Sequence, residues 1–178
     1  MLTEQQINHF HTFGFVLCHQ VFSSVEMATL TGAFDIAMQE ARGGASAPDL
    51  EQDVDGNSSK RQQVVPFFDY APDPFYGLLD DDRLMSVFEQ LLGEDFLFTL
   101  SEGIIHAGGT GWHTDAVAPE GLFTMRAALY LDTLGPEDGC LSVIPGSHHT
   151  PFRESLGHHK DWVFPCGAGA TGRHDLVN

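Results

Sequence analysis

The segment Gly108-Gly109-Thr110-Gly111-Trp112-His113-Thr114-Asp115 carries the residues best suited to chemistry. On extended backbone, positions i and i+2 face the same side. His113 and Asp115 therefore present an imidazole nitrogen and a carboxylate oxygen together. That donor pair suits a divalent first-row metal such as iron(II). It supplies two of the three ligands of the two-histidine, one-carboxylate triad, which leaves coordination positions open for a co-substrate and oxygen. The third ligand must be a histidine from another strand. His-x-Asp alone is a weak signal in a chain with ten histidines, and His159-Lys160-Asp161 repeats it. The surroundings separate the two pairs. His113 and Asp115 follow a strand pattern and a glycine-rich turn and precede another strand, whereas the second pair has no flanking strand pattern.

Other residues point toward a pocket. On the strand before the metal turn, Leu100, Glu102, Ile104 and His106 share one face by period two, and Ser101, Gly103 and Ile105 share the other. If the polar face turns inward, Glu102 and His106 border metal or substrate; if not, they are a solvent-facing pair on an outer sheet. Arg126 interrupts the apolar run Thr124-Met125-Arg126-Ala127-Ala128-Leu129. A buried guanidinium needs a partner, either a substrate or co-substrate carboxylate or a structural acid. Trp112 either packs beneath the metal site or is a plain core aromatic. His148-His149 and His158-His159 are adjacent pairs, poor as chelates on extended backbone, and read as solvated loop histidines.

These residues need a scaffold, and its elements are partly legible. Thr3 with Gln6 makes a capping box, Ile7, Phe10 and Phe13 form a stripe, and Gly14 fits a helix stop. Residues 15–18 read as a short strand. Ser23 with Glu26 caps a second helix whose stripe is Met27, Leu30, Phe34, Ile36 and Met38, ending at Gly43-Gly44. Residues 43–60 are small, polar and acidic, a flexible loop within one domain covering residues 1–178. A strand over 62–67 precedes proline-rich turns. Leu84, Val87, Phe88, Leu91 and Leu92 mark a helix closed by Gly93. Strands are then expected over 96–106, 123–132 and 140–145. Helices first and strands afterwards predict an α+β fold, an antiparallel β core with helices packed outside.

Composition narrows the function classes. Eight Lys and Arg against 25 Asp and Glu leave a formal charge of −17, which disfavours nucleic acid and anionic membrane surfaces. No apolar run reaches the roughly 20 residues of a membrane span. The start lacks a signal-peptide pattern. Three cysteines without a CxxC pair fit a reducing, cytoplasmic compartment, and Cys140 reads as a packed core thiol. Oligomeric state is open.

The combination of Trp112-His113-Thr114-Asp115, Ala128-Leu129-Tyr130-Leu131-Asp132 and the run from Pro136 to His148 (PEDGCLSVIPGSH) resembles the phytanoyl-CoA dioxygenase family. The N-terminal helix leading into Gly14-Phe15-Val16 is similar to the family's opening. The resemblance implies a double-stranded β-helix, or jelly roll, that binds iron(II) and 2-oxoglutarate and uses O₂ to hydroxylate a small molecule or acyl derivative, releasing succinate and CO₂. His113 and Asp115 match the first two iron ligands, and Asp115 argues for hydroxylation over halogenation. His148 falls in a structural signature as a loop-fixing or surface residue. The family's third ligand lies on a downstream strand, with an Arg beyond it for the distal carboxylate of 2-oxoglutarate. Here the late histidine is His174, preceded by Arg173 in a stretch that reads as loop. Two expectations follow: His174 as third ligand, or a jelly roll lacking its C-terminal part. In the second case the chain is a non-catalytic fragment or binding module. A jelly-roll metalloenzyme independent of 2-oxoglutarate, completed by His106, is a further alternative.

Overall fold

The computed structural model describes residues 1–41, 60–70, 72–107, 112–113, 122–135, 140–156 and 171–177, with only the backbone of 60, 61, 72, 107 and 171–177. Two helices open the chain, α1 (Glu4–Phe13) and α2 (Ser24–Ala41). Both capping boxes form. In α1, Gln6 N–H donates to Thr3 Oγ1 while Thr3 N–H donates to Gln6 Oε1, and Gly14 closes the helix in the left-handed region at φ 86°. In α2, Ser23 N–H donates to Glu26 Oε2 at 2.7 Å and Glu26 N–H to Ser23 Oγ at 3.3 Å. The buried stripe of α2 is Leu30, Phe34, Ala37 and Met38. Ile36, expected in that stripe, is 60% exposed: two residues past Phe34 is a rotation of about 200°, to the far side of the helix. The acidic 43–60 stretch lies outside the described residues except for Lys60.

Strand β1 (Lys60–Val64) follows, then a 3₁₀ turn (Phe68–Tyr70), a one-turn α3 (Pro72–Phe75), a second 3₁₀ turn (Tyr76–Asp80) and α4 (Asp82–Leu92). The last is closed at Gly93, as its pattern predicts, and is capped at its start by Asp81. Then come β2 (Ser101–Ala107), β3 (Ala127–Tyr130), α5 (Thr150–Leu156) and β4 (Thr171–Val177).

The strands are shorter than the sequence suggests. β1 stops ahead of Pro66, which lacks the N–H a ladder needs. Phe96 stacks on Phe88 at 5.7 Å instead of entering a strand, and the 123–132 run pairs only over Ala127–Tyr130. Residues 15–18 and 140–145 form no strand. The opposite correction applies near the end: the stretch containing His174 is strand β4, not loop.

All pairings are antiparallel, in the order β1-β2-β4-β3, so β4 lies between the two strands that flank the metal turn in sequence. Period two and register sort the sheet into two faces. Val64 and Phe67 are buried in the helical core, with Ile105, Ala127 and Leu129 packed against it. Gln62 Nε2 on the same face donates to the Met38 carbonyl at 3.3 Å. The helices therefore cover the Ser101, Gly103, Ile105 face. The Glu102, Ile104, His106 face looks away from them.

Arg83 ties the starts of α2 and α4 together. Its Nη2 lies 2.7 Å from Glu26 Oε1 and 2.6 Å from Asp81 Oδ2, and its guanidinium sits 4.6 Å from the Phe22 ring centroid. Arg83 first, and the Ser23 hydroxyl second, pull the Glu26 carboxyl from 4.5 to about 2. A lowered folded pKa means that the contribution is fully present above the unfolded value and disappears as pH falls toward 2. Urea denaturation at a series of pH values is expected to show this loss between about 4.5 and 2, and Arg83→Met is expected to flatten that part of the profile. Because the pair is exposed, added salt should shrink the effect.

Candidate active site

The sheet face away from the helices gathers the polar side chains singled out from the sequence. Glu102 is buried at 8% exposure and Ile104 at 6%, so this face is covered at those two positions, while Ala128 in the same row as Glu102 is exposed. The reading of Glu102 and His106 as a solvent-facing pair fails for Glu102, while His106 is half-buried. Arg126 directly precedes β3 and is in phase with Ala128 and Tyr130, because Met125, Ala127, Leu129 and Leu131 all pack into the helical core. Its Nη1 lies 3.6 Å from Glu102 Oε2, with side-chain exposures of 24% and 10%. Of the two partners anticipated for this arginine, the structure shows the acid.

Register adds position 174. His174 pairs with Ile104 on β2 and Tyr130 on β3, in one row across the sheet. Tyr130 is a residue that sequence reasoning misses. It is the one side chain in Ala127–Tyr130 with a polar tip, four residues beyond Arg126, a spacing that puts both on one strand face. Burial raises its pKa, and its hydroxyl is hydrogen-bonded to the Leu141 backbone. That bond links the sheet to the segment leading into the Pro145-Gly146-Ser147-His148 turn.

Trp112 is half-buried and His113 exposed, a few residues past the end of β2. Asp115, the second half of the proposed metal pair, lies outside the described residues, as do His158, His159 and Asp161. Among the described residues, no three His, Cys, Asp or Glu side chains converge on a point that would hold a metal.

His148 is a loop-fixing residue, not a solvated one. It lies in a tight turn, so the opposite-face rule for neighbours on a strand does not apply. The His148 and His149 ring centroids are 3.8 Å apart. His148 Nε2 is 3.1 Å from the His11 carbonyl, which can only accept, so Nε2 carries the proton. Gly146 N–H donates to the Phe13 carbonyl at 2.8 Å. The turn is thus bonded to the last carbonyls of α1, with the imidazole ring lying against Gly14. A Cβ on Gly14 would meet His148 Cγ at 2.8 Å and would also be strained at φ 86°. Gly14→Ala is expected to cost about 1–3 kcal/mol by chemical denaturation. His148→Ala should relieve part of that cost in the double variant.

The sequence matches the phytanoyl-CoA dioxygenase family over residues 10–169. The chain belongs to that family. Phytanoyl-CoA dioxygenases and their relatives are non-haem iron(II), 2-oxoglutarate-dependent oxygenases. A search of curated proteins finds no sequence match. Among solved structures, AviO1 from Streptomyces viridochromogenes Tue57 aligns with a TM-score of 0.69 at 18% identity, covering 99% of this chain and 95% of that one. EctD from S. alaskensis, solved with 2-oxoglutarate and 5-hydroxyectoine, gives 0.70 at 20% identity over 99% and 75%. HygX from Streptomyces hygroscopicus, solved with nickel, 2-oxoglutarate and hygromycin B, gives 0.56 at 18% over 99% and 78%. At these identities the likeness is one of fold. Among the described residues, no helix is long and apolar enough to cross a membrane.

Proposed function

We propose that this member of the phytanoyl-CoA dioxygenase family is an iron(II)/2-oxoglutarate-dependent dioxygenase that hydroxylates a small organic molecule or acyl derivative. Succinate and CO₂ are its co-products. The observation that carries the reading is the family match over residues 10–169, which encloses both His113-Thr114-Asp115 and the signature ending at His148. The scaffold in this reading is a single-domain double-stranded β-helix, with the four-stranded sheet as one wall. His113, Asp115 and His174 are its iron ligands, two imidazoles and a carboxylate, a donor set that iron(II) accepts. Position 174 shares its row with Ile104 and Tyr130, on the face that also carries Glu102 and His106. Bound iron(II) would supply O₂ activation at a site with open positions.

The remaining work falls to the protein. Trp112 packs beneath the metal site. Glu102 and His106 border the substrate. Arg126 is positioned for a co-substrate carboxylate through its planar fork. EctD and HygX, both solved with 2-oxoglutarate, share the fold and support this choice of co-substrate. Three cysteines without a CxxC pair are in keeping with work in the cytoplasm.

The test is anaerobic iron(II) titration of the chain with and without 2-oxoglutarate, followed by succinate detection in air. A visible charge-transfer band that requires 2-oxoglutarate supports the reading. No retained iron and no succinate at millimolar iron would leave a non-catalytic binding module as the better description.

A further inference from the structure

We infer that the Glu102–Arg126 ion pair is a strap across β4 that positions the candidate iron ligands, with Glu102 as the positioning residue. The inference rests on the oxygenase reading and adds to it how the ligand-bearing elements are held together.

The observation behind it is that the pair skips a strand. Cross-strand pairs ordinarily join neighbours. Here the order is β1-β2-β4-β3, so β2, which carries Glu102, and β3, which Arg126 directly precedes, lie on opposite sides of β4. Two strand spacings amount to about 10 Å. Arg126 Nη1 nevertheless comes within 3.6 Å of Glu102 Oε2. The register locates the crossing. Glu102 and Ala128 both pair with Leu176, one row from the row of Ile104, His174 and Tyr130. The two side chains therefore meet over the β4 backbone near position 176, on the sheet face away from the helices.

Connectivity gives this crossing its role. β2 and β3 are both antiparallel to β4, so they run parallel to each other. Residues 108–126 lead from the end of β2 to the start of β3 and include both His113 and Asp115. The pair thus ties the last residue of that connection back to the strand it left. It does so across the strand that supplies position 174. One contact then holds the parent elements of all three candidate ligands relative to one another. β4 has little of its own to fix its register. Gly172 weakens a strand interior, and Gly172-Arg173-His174-Asp175 has no alternating apolar pattern. A mostly buried ion pair adds little net stability, because desolvation offsets the attraction, and what this one supplies is geometry. The contact uses one nitrogen of the guanidinium and asks nothing of its other donors.

The test is hydrogen exchange of the β4 amides, read by mass spectrometry, alongside affinity for iron(II) alone, both on the anaerobic chain. Glu102→Gln preserves side-chain volume and is expected to speed exchange across 172–177 by about tenfold or more, while α1, α2 and α4 stay within about twofold. Iron(II) binding should weaken by about tenfold or more, the usual scale for a group that acts through a metal ligand. Arg126→Lys keeps one cation on a long stem and should retain both properties to within about threefold. The double variant Glu102→Gln/Arg126→Met removes both charges and leaves none uncompensated. Its urea stability should return to that of the unmodified chain, while β4 exchange and iron affinity stay impaired because the strap is still cut. If the double variant restores all three, the pair acts only through charge burial and the inference is overturned. It is equally overturned if Glu102→Gln leaves β4 exchange or iron affinity within about twofold, or if Arg126→Lys is as impaired as Glu102→Gln. Should the double variant not fold, Glu102→Gln still decides. If the unmodified chain binds iron and Glu102→Gln changes nothing, only the strap falls. If the unmodified chain binds no iron, the oxygenase reading falls and this inference with it.

Discussion

Asp115→Ala is expected to abolish the 2-oxoglutarate-dependent iron band and to reduce succinate formation by at least about 100-fold, the largest effect expected of any single change on activity. The argument is one of donor chemistry. Iron(II) is a borderline ion that imidazole and carboxylate hold well, and the triad needs all three ligands to keep the remaining positions oriented toward one side. In the proposed triad Asp115 is the sole anionic member. Without it, two neutral imidazoles remain, and neither can replace the charge that offsets the dication. Loss of even an outer partner of a metal ligand commonly costs about 10–100-fold in affinity or activity, and a direct ligand should exceed that range. Asp115→Glu keeps the charge but lengthens the arm, and should retain weak iron binding with poor turnover. His113→Ala should behave like Asp115→Ala. The second His-x-Asp of the chain, His159 with Asp161, has no flanking strand pattern to aim it at the same iron, so His159→Ala should leave the band intact. An unchanged band in Asp115→Ala would remove Asp115 from the site.

What the sequence reveals of this molecule depends on how local each feature is. The helices α1, α2 and α4 are legible with their caps, because Thr3 with Gln6, Ser23 with Glu26, and the stops at Gly14 and Gly93 act within one turn. Strand ends are harder. An apolar run reads the same whether it pairs or packs, and Phe96 packs on Phe88 while Ser101–Ala107 pairs. β4 is hidden for the opposite reason. Glycine and charge in Gly172-Arg173-His174-Asp175 give no alternating pattern, and its strand conformation comes from the two neighbours that flank it. The site divides in the same way. Glu102 and Arg126 each stand out alone, one by its face and the other by its apolar surroundings. Their pairing is a long-range fact that only the folded chain supplies. Tyr130 escapes notice because an aromatic in an apolar strand looks like core.

Phe67→Ala is expected to destabilise the fold by about 3–5 kcal/mol, the usual loss for a buried phenylalanine. Phe67 joins the helical layer to the sheet, so the effect should reach the site. Its ring is fully buried, 5.1 Å from Phe34 on α2 and 5.0 Å from Phe75, and it lies against Gly103 on β2. The backbone is fastened at the same place. Phe67 N–H donates to the Ser101 carbonyl at 3.0 Å, and Phe68 N–H donates to Ser101 Oγ at 2.9 Å. For a chain of this size the melting temperature should fall by roughly 10 °C. Gly103→Ala meets the same ring from the other side. A Cβ there would lie 2.7 Å from Phe67 Cγ, and Phe34 and Phe75 pack against the same ring and restrict its movement. Overpacking of this kind costs about 1–3 kcal/mol. The two changes touch one space, so they should not add. In the double variant the methyl introduced at position 103 enters the room that the ring vacated, and the loss should be smaller than the sum by about 0.5–3 kcal/mol, the range for residues in contact. Urea denaturation of the two single variants and the double variant measures that coupling. Strict additivity would mean that the ring and the glycine do not share a contact, and the helices would then hold Glu102, His106 and the rest of β2 by some other route.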